Sequence, residues 1–124
     1  PIRWIVDDCK KFVQREIRRG RKYDAIIMDP PSYGRGPSGE TWKIEQDVAD
    51  FVELTMGVLS DKPLFVLISS YSTGLAPSVM SYLLGITAAK RAAGKIEAQE
   101  LGLLVESTGL VLPCGSSARF IAET

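Results

Sequence analysis

Residues 23–34 of this 124-residue chain read Tyr23-Asp24-Ala25-Ile26-Ile27-Met28-Asp29-Pro30-Pro31-Ser32-Tyr33-Gly34. The run from Ala25 to Met28 is short and continuously apolar, as in strands that are buried on both faces of a parallel sheet. Asp29 is then expected at the carboxyl end of that strand, where open α/β sheets bind their ligands. The stretch therefore predicts a buried strand that ends in a ligand-facing turn.

Strand-like and helix-like runs alternate along the rest of the chain. Runs typical of strands cover Ile2 to Val6, Ala25 to Met28 and Leu64 to Ser69. Apolar residues at helical spacing predict helices from Cys9 to Gly20, from Ile44 to Leu59, and from Pro77 to about Ala93. Loops are predicted at 29–39 and 70–76, and short β segments, broken by glycine and proline, at 95–124. This order predicts an α/β fold over residues 1–124, with a mostly parallel sheet and an antiparallel terminal hairpin.

Composition excludes several classes of protein. The chain is 45% hydrophobic, carries 15 basic and 15 acidic residues, and contains no His. Disorder is excluded by the apolar content, and His-based triads and zinc fingers by the missing His, so no metal site is predicted. No apolar run reaches membrane-spanning length. Two cysteines, Cys9 and Cys114, give no disulfide framework, which favours a cytoplasmic location.

The start of the chain suggests that it is a piece of a longer protein. It begins at Pro1, without Met, directly inside a strand-like run. We therefore expect a partial domain rather than a complete one.

Two glycine-rich patterns near residue 34 do not support nucleotide binding. Gly34 to Gly39 match G-x-G-x-x-G, but five residues separate the predicted strand from the first glycine, whereas a dinucleotide site needs that glycine at the strand end. The same stretch imitates a phosphate-binding loop in which Glu40 replaces the required Lys. Nucleotide hydrolysis is therefore not predicted.

Asp29, Pro30 and Pro31 form a more informative group. Two prolines fix the backbone and remove two N–H donors, which leaves rigid carbonyl groups beside a carboxylate. Such an acceptor pair suits an amino group, and Tyr33 offers a flat face for stacking. An Asp-Pro turn that merely ends the strand explains the tripeptide equally well, and the two readings stay open at this point.

Five stretches of the chain together resemble the class I S-adenosylmethionine-dependent methyltransferases, in particular the group related to large-subunit ribosomal RNA methyltransferases. They occur in the family's order and are Asp7 to Val13, Tyr23 to Gly34, the loop to Trp42 and Lys43, Leu64 to Ser72, and Leu112 to Arg119. The resemblance implies a Rossmann-like sheet that starts at the family's third strand, Ile2 to Val6. The family's glycine-rich first strand, and the acid that holds the ribose, have no counterpart in these residues.

The resemblance also implies roles for particular residues. Asp8 matches the acid that takes the amino group of the cofactor's adenine, and Cys9 matches the position whose N–H reaches the adenine ring. Asp29, Pro30, Pro31 and Tyr33 match the segment that lines the target base. The implied cofactor is S-adenosyl-L-methionine, and because its other contacts are missing, this piece alone is expected to be inactive.

The type of methyl transfer is predicted from one position at which this sequence differs from the members of the group that methylate cytosine C5. Methylation of cytosine C5 needs a thiolate nucleophile, which members of the group that do this carry in the loop after the fifth strand. Tyr71 stands at the matching position. We therefore expect N-methylation of a guanine or adenine in RNA, which the resemblance implies to be ribosomal RNA, with C5-cytosine methylation as an alternative.

Residues near the predicted site are candidates for contacts with RNA. Arg35, Trp42 and Lys43 combine charge with a stacking ring, and Tyr71 and Ser72 follow a strand end. Trp42 is equally suited to anchoring the next helix, and Tyr71 and Ser72 to preceding a helix start. Seven basic residues between Lys10 and Lys22 are more simply explained as a solvated helix face.

A different class of function also stays open. The chain is alternatively a non-catalytic α/β folding or dimerisation module. Because the strands that flank Ile2 to Val6 in the family are missing here, that run is predicted to be displaced or to pair across a homodimer.

Overall fold

The computed structural model describes residues 1–72 and 74–124, so that Thr73, in the predicted polar loop 70–76, lies outside the described residues. The helices are α1 (Cys9–Arg18), α2 (Ile44–Thr55) and α3 (Pro77–Ile86), with 3-10 turns at Met56–Val58 and Ala88–Lys90. The strands are β1 (Ala25–Met28), β2 (Tyr33–Arg35), β3 (Thr41–Lys43), β4 (Phe65–Ser70), β5 (Gly94–Val105) and β6 (Leu110–Ala122). No helix in the described part combines the length and apolar character needed to cross a bilayer.

The main sheet has the order β1-β4-β6-β5. Strand β1 runs parallel to β4 in the register Ala25 to Phe65, whereas β6 is antiparallel to both β4 and β5. Because β1 and β4 are parallel, the loops that follow Met28 and Ser70 lie at the same edge of the sheet. This topology confirms the predicted α/β class and the antiparallel terminal hairpin. The sheet is less parallel than predicted, because among the described strands β1–β4 is parallel and the other two pairs, β4–β6 and β6–β5, are antiparallel.

The core lies between this sheet and the helices α2 and α3. Helix α2 buries side chains at the helical spacing that predicted it, namely those of Ile44, Val48, Val52 and Thr55. Leu59 is buried just beyond the helix end. The strands supply Val66, Ile68 and Phe120, and α3 supplies Met80, Leu83 and Leu84. Val79 of α3, whose helical spacing from Leu83 predicts a core-facing side chain, is exposed, and α3 ends at Ile86 rather than near Ala93.

Helix α1 begins and ends as its sequence predicts. The Asp8 carboxylate caps it by accepting the N–H of Lys11 at 3.0 Å, and Gly20 adopts a φ of 69° just past its end. Of its predicted apolar face, Val13 is buried, but Cys9 is exposed.

The prediction of a strand at Ile2–Val6 is wrong for this chain by itself. These residues form no strand, and Trp4 is 85% exposed. A β-rich run needs a neighbouring strand to satisfy its N–H and C=O groups, and none is available to it here. Ile27 of β1 is 69% exposed rather than buried on both faces, because β1 is the edge of the sheet.

Two further parts of the chain differ from the prediction. The segment 29–39, predicted as a loop without structure, contains β2, which pairs with β3 in an antiparallel hairpin closed near Gly39 at φ 85°. The glycine and proline residues at 95–124 do not divide that region into short strands. They are accommodated in two long strands by one irregularity at Leu101/Gly102 and by a turn at Gly109.

Candidate functional site

Asp29 follows β1 at the carboxyl edge of the sheet, as the apolar run predicted. Its side chain is exposed, and within residues 1–72 and 74–124 no hydrogen-bond donor or cation is paired with its carboxylate. A carboxylate that ends a strand without an internal partner is free to accept from a ligand. The Asp-Pro turn thus ends the strand and also presents a carboxylate without a partner among the described residues.

A cavity of about 800 Å³ lies in front of this turn. Asp29, Pro30 and Pro31 line one side of it, and Asp8 and Cys9 at the start of α1 line another. Three of the four residues matched to the target base therefore face one space with the two residues matched to the adenine edge, although at least 20 positions separate the two groups. Tyr33 does not line this cavity. Among the described residues, no group of three His, Cys, Asp or Glu side chains is placed to hold a metal ion.

The acids at the entrance of α1 differ in their partners. Asp7 forms an ion pair with Arg15, whose hydrogen bond lowers the pKa of the Asp7 carboxyl. Asp8 uses one oxygen, Oδ1, to cap the helix. Its second oxygen has no partner within the described residues, so Asp8 retains one acceptor position toward the cavity.

Pro31 is held by a side chain from the neighbouring hairpin. The indole N–H of Trp42 on β3 donates to the Pro31 carbonyl oxygen at 2.6 Å. The Trp42 ring meets Phe51 of α2 edge to face, with 5.7 Å between centroids. Trp42 is half-buried. It contacts α2, as expected of a residue that anchors this helix, and it also lines the cavity.

The other candidates on the hairpin lie on its opposite face. Tyr33 and Lys43 are directly paired across β2 and β3, and Arg35 pairs with Thr41. Since side chains two positions apart point to the same face of a strand, Tyr33, Arg35 and Lys43 share one face, and Trp42 points to the other. All three are exposed, and only Arg35 is also part of the cavity lining.

Tyr71 and Ser72 line a second, smaller cavity of about 340 Å³. Ser32 and Glu45 also contribute to it. The structure thus separates these two candidates from Asp29, which lines the larger cavity, although Ser32 immediately follows Pro31 in the chain. Ser72 is linked to that segment directly, since its Oγ lies 2.6 Å from the Ser32 Oγ.

The sequence analysis missed two residues of this region. Ser32 stands inside the Asp-Pro-Pro-Ser-Tyr motif, and its proximity to the prolines was the only available signal. Gly115 on β6 approaches the end of β4 so closely that a Cβ there would lie 2.5 Å from the Ser70 carbonyl oxygen and 3.1 Å from the Tyr71 ring. Only the strand register brings Gly115 to this point.

Comparison with solved structures gives this geometry a context. The chain superposes on a SAM-dependent methyltransferase from Agrobacterium tumefaciens with a TM-score of 0.84 and 32% sequence identity, over 99% of this chain. The chain is similar in sequence and in fold to part of a class I S-adenosylmethionine-dependent methyltransferase. The predicted resemblance to S-adenosylmethionine-dependent methyltransferases is therefore confirmed, together with the partial Rossmann-like fold.

Two further methyltransferase structures share the fold at lower identity. One is a methyltransferase in complex with SAH, with 18% identity and a TM-score of 0.61, and the other, from Streptococcus mutans, has 17% identity and a TM-score of 0.62. Both matches cover 94% of this chain. The chain spans 41% of the Agrobacterium methyltransferase and 30% of each of the other two. No protein-family model and no curated protein sequence matches the chain.

Proposed function

We propose that this chain is the target-base side of an S-adenosyl-L-methionine-dependent methyltransferase that N-methylates a guanine or adenine in RNA, most simply ribosomal RNA. The observation that carries the proposal is the free carboxylate of Asp29, on the wall of the cavity that Asp8 and Cys9 also line. An acceptor for an amino group and an edge suited to adenine then face the same space.

The residues at the start of α1 fit the adenine of the cofactor. The first N–H groups of a helix have no acceptor within the helix, and Cys9 opens α1. Within the described residues its N–H is unpaired, and the second oxygen of Asp8 is also available. A donor and an acceptor side by side match the ring nitrogen and the amino group of adenine.

The Asp29 segment fits an amino group of the target base. When bound, S-adenosylmethionine supplies an electrophilic methyl group on a sulfonium sulfur. The Asp29 carboxylate and the Pro30 carbonyl accept the two N–H bonds of the amine, which leaves its lone pair directed at the methyl group. On transfer, the new N–C bond would form as the C–S bond of the sulfonium breaks and leaves a neutral thioether. The amine would then lose a proton, for which the Asp29 carboxylate is the proposed acceptor.

RNA as the substrate is supported by the exposed face of the β2–β3 hairpin. Tyr33, Arg35 and Lys43 share that face, which combines one aromatic ring with two cations, and Arg35 also lines the cavity. On α1, by contrast, Arg15 and Arg19 are paired with Asp7 and Glu16. We therefore assign the RNA contact to the hairpin rather than to α1.

We also propose a cytoplasmic location, with which the two free cysteines agree.

The C5-cytosine alternative is less well supported by the positions of the cysteines. Tyr71 occupies the position that would need a thiol, while Cys9 starts α1 at the adenine edge and Cys114 lies on β6. Tyr71 has no thiol, and Cys9, which lines the same cavity as Asp29, is matched to the adenine edge rather than to a nucleophile. Transfer to nitrogen requires no such nucleophile.

The test is methyl transfer by the full-length protein. The protein is incubated with ribosomal RNA and methyl-tritiated S-adenosylmethionine, and the RNA is digested to nucleosides. We expect the label in an N-methylated guanosine or adenosine. Label in 5-methylcytidine would establish the C5 alternative, and absence of label in any RNA, with no binding of S-adenosylmethionine by calorimetry, would support the non-catalytic module.

A further inference from the structure

The hydrogen bond from Trp42 to Pro31 joins two parts of the site that are 11 residues apart. Pro31 lies in the turn after β1, whereas Trp42 lies on β3 and is the last residue but one before α2. At 2.6 Å between Nε1 and the carbonyl oxygen, the contact is a full hydrogen bond. The turn that carries Asp29 is therefore tied to β3 by this side chain, next to the backbone hydrogen bond in which the Ile44 N–H donates to the Ser32 carbonyl oxygen at 3.1 Å.

This contact changes which acceptors remain for a substrate. The proline rings remove the N–H groups of residues 30 and 31, so the turn presents only acceptors. The Pro31 carbonyl is occupied by the indole, whereas the Pro30 carbonyl and the Asp29 carboxylate are unpaired within the part of the chain that the structure describes. Trp42 thus leaves two adjacent acceptors, the number that one amino group requires.

The indole is itself held in place. Its ring packs edge to face on Phe51. At the start of α2, the backbone N–H of the next residue, Lys43, donates to the Asp47 carboxylate at 2.8 Å. Because both contacts come from α2, the position of the Pro31 carbonyl is set by a helix that the core fixes. A stacking platform for RNA would instead need the ring free of such contacts on the face shared by Tyr33, Arg35 and Lys43.

We infer that Trp42 is a positioning residue, which holds the Asp29 turn in its acceptor geometry through the Pro31 carbonyl and makes no stacking contact with the RNA. The inference rests on the proposed function for its catalytic consequence. Its structural part, a hydrogen-bonded indole, stands without it. Two measurements separate these parts.

The first measurement is hydrogen exchange at the indole N–H groups of the 124-residue chain by NMR. The chain has two tryptophans, and Trp4, which is 85% exposed, serves as the internal reference. We expect the Trp42 indole to exchange at least about tenfold more slowly than that of Trp4. Equal exchange rates would overturn the inference, whatever the activity of the protein.

The second measurement uses an isostere in the full-length protein. Replacing Trp42 with 3-benzothienylalanine exchanges the N–H for sulfur and keeps the size of the ring. We expect kcat for methyl transfer to RNA to fall about fivefold, as for one lost hydrogen bond, with KM for RNA unchanged and the thermal midpoint close to that of the natural protein. If Trp42 instead stacked on the RNA, the isostere would be fully active. Trp42→Ala would then raise KM for RNA.

The controls separate failure of this inference from failure of the proposed function. Tyr82→Phe removes one hydroxyl from an exposed side chain on α3, away from the site, and is expected to retain natural kcat and KM. If the natural protein transfers methyl groups and the isostere matches it in kcat, the role of Trp42 is refuted while the proposed function stands. If the natural protein transfers none, the proposed function is refuted first.

Discussion

The Oγ of Ser72 lies 2.6 Å from the Oγ of Ser32, so that a hydrogen bond joins residues 40 positions apart. Ser32 follows the prolines after β1, and Ser72 follows β4, the parallel neighbour of β1. The N–H of Ser72 is held in turn by the Ser70 Oγ at 3.1 Å. The two loops at the carboxyl edge of the sheet therefore support each other directly.

Replacement Ser72→Ala is expected to loosen this link. The substitution removes one partner of a partly exposed hydrogen bond, so we expect a loss of about 0.5–1 kcal/mol in the free energy of unfolding, measured by denaturant titration. Ser78→Ala is the matched control, since Ser78 is exposed in the first turn of α3. An unfolding free energy for Ser72→Ala equal to that of the control would contradict the role of the bond.

Gly115 is expected to be intolerant of any side chain. A Cβ at this position would lie 2.5 Å from the Ser70 carbonyl oxygen, which belongs to the backbone and cannot turn away. We expect Gly115→Ala to cost about 1–3 kcal/mol in thermal or chemical unfolding. The backbone shift should reach Tyr71, whose NMR signals are expected to move with the substitution.

Gly85 provides the matched control for Gly115. It lies within α3, and a Cβ there would meet only the Ile96 Cδ1 at 3.8 Å, an ordinary contact. Since glycine weakens a helix interior, Gly85→Ala is expected to stabilise the chain by about 0.5–1 kcal/mol. Equal signs for the two substitutions would show that the close approach at Gly115 does not exist in solution.

The hydrogen-bonded pair of buried Glu16 and partly exposed Tyr23 predicts a pH dependence of stability. The Tyr23 hydroxyl donates to the Glu16 carboxylate, and this bond, assisted by Arg19, lowers the pKa of Glu16 below its ordinary value of 4.5. In the unfolded chain the carboxyl therefore binds its proton more tightly than in the folded chain. The stabilisation is present above the unfolded pKa and is lost as the pH falls through the folded pKa.

Replacement Tyr23→Phe tests this assignment. We expect the acid-induced loss of stability, followed by thermal unfolding at a series of acidic pH values, to become shallower than in the natural chain. Glu97, whose pKa is lowered by Arg119 and Lys95, is untouched by the substitution and serves as the reference in an NMR titration of the carboxyl groups. An unchanged pKa of Glu16 in the variant would contradict the assignment.

The start of the chain exposes several apolar side chains and suggests that two copies pair there. We propose that Ile2–Val6, which has no partner strand within the described residues, pairs with a second copy of the chain. Amide exchange of these residues should then slow as the protein concentration rises, alongside a dimer in sedimentation. Exchange that is fast at every concentration, in a chain that remains monomeric, would contradict the pairing.

The sequence predicted those elements whose burial pattern is local. Helix α2 buries Ile44, Val48 and Val52 at the spacing that the sequence shows, and β4 begins one residue later than its apolar run. The strand at Ile2–Val6 failed because strand formation depends on a neighbour and not on the run itself. The β2–β3 hairpin was missed because each of its strands has only three residues, too few for a visible alternation.

The candidate site was predictable where it depends on strand ends. Asp29 follows the apolar run that forms β1, and Asp8, which caps α1 although the run before it forms no strand, lines the same cavity. The bonds between Trp42 and Pro31 and between Ser72 and Ser32 were not predictable, since each joins residues that only the folded chain brings together. Tyr71 and Ser72 followed the same strand-end rule, and yet they line a different cavity from Asp29.

The central claim is that the Asp29 carboxylate accepts an amino group of the target base beside the transferred methyl group. Its most direct test is single-turnover methyl transfer to RNA by the full-length protein with Asp29→Asn, compared with Asp24→Asn, an equally exposed acid just before the same strand. We predict a rate about 100-fold lower for Asp29→Asn and a natural rate for Asp24→Asn, with the binding of S-adenosylmethionine unchanged in both. A natural rate for Asp29→Asn would contradict the account.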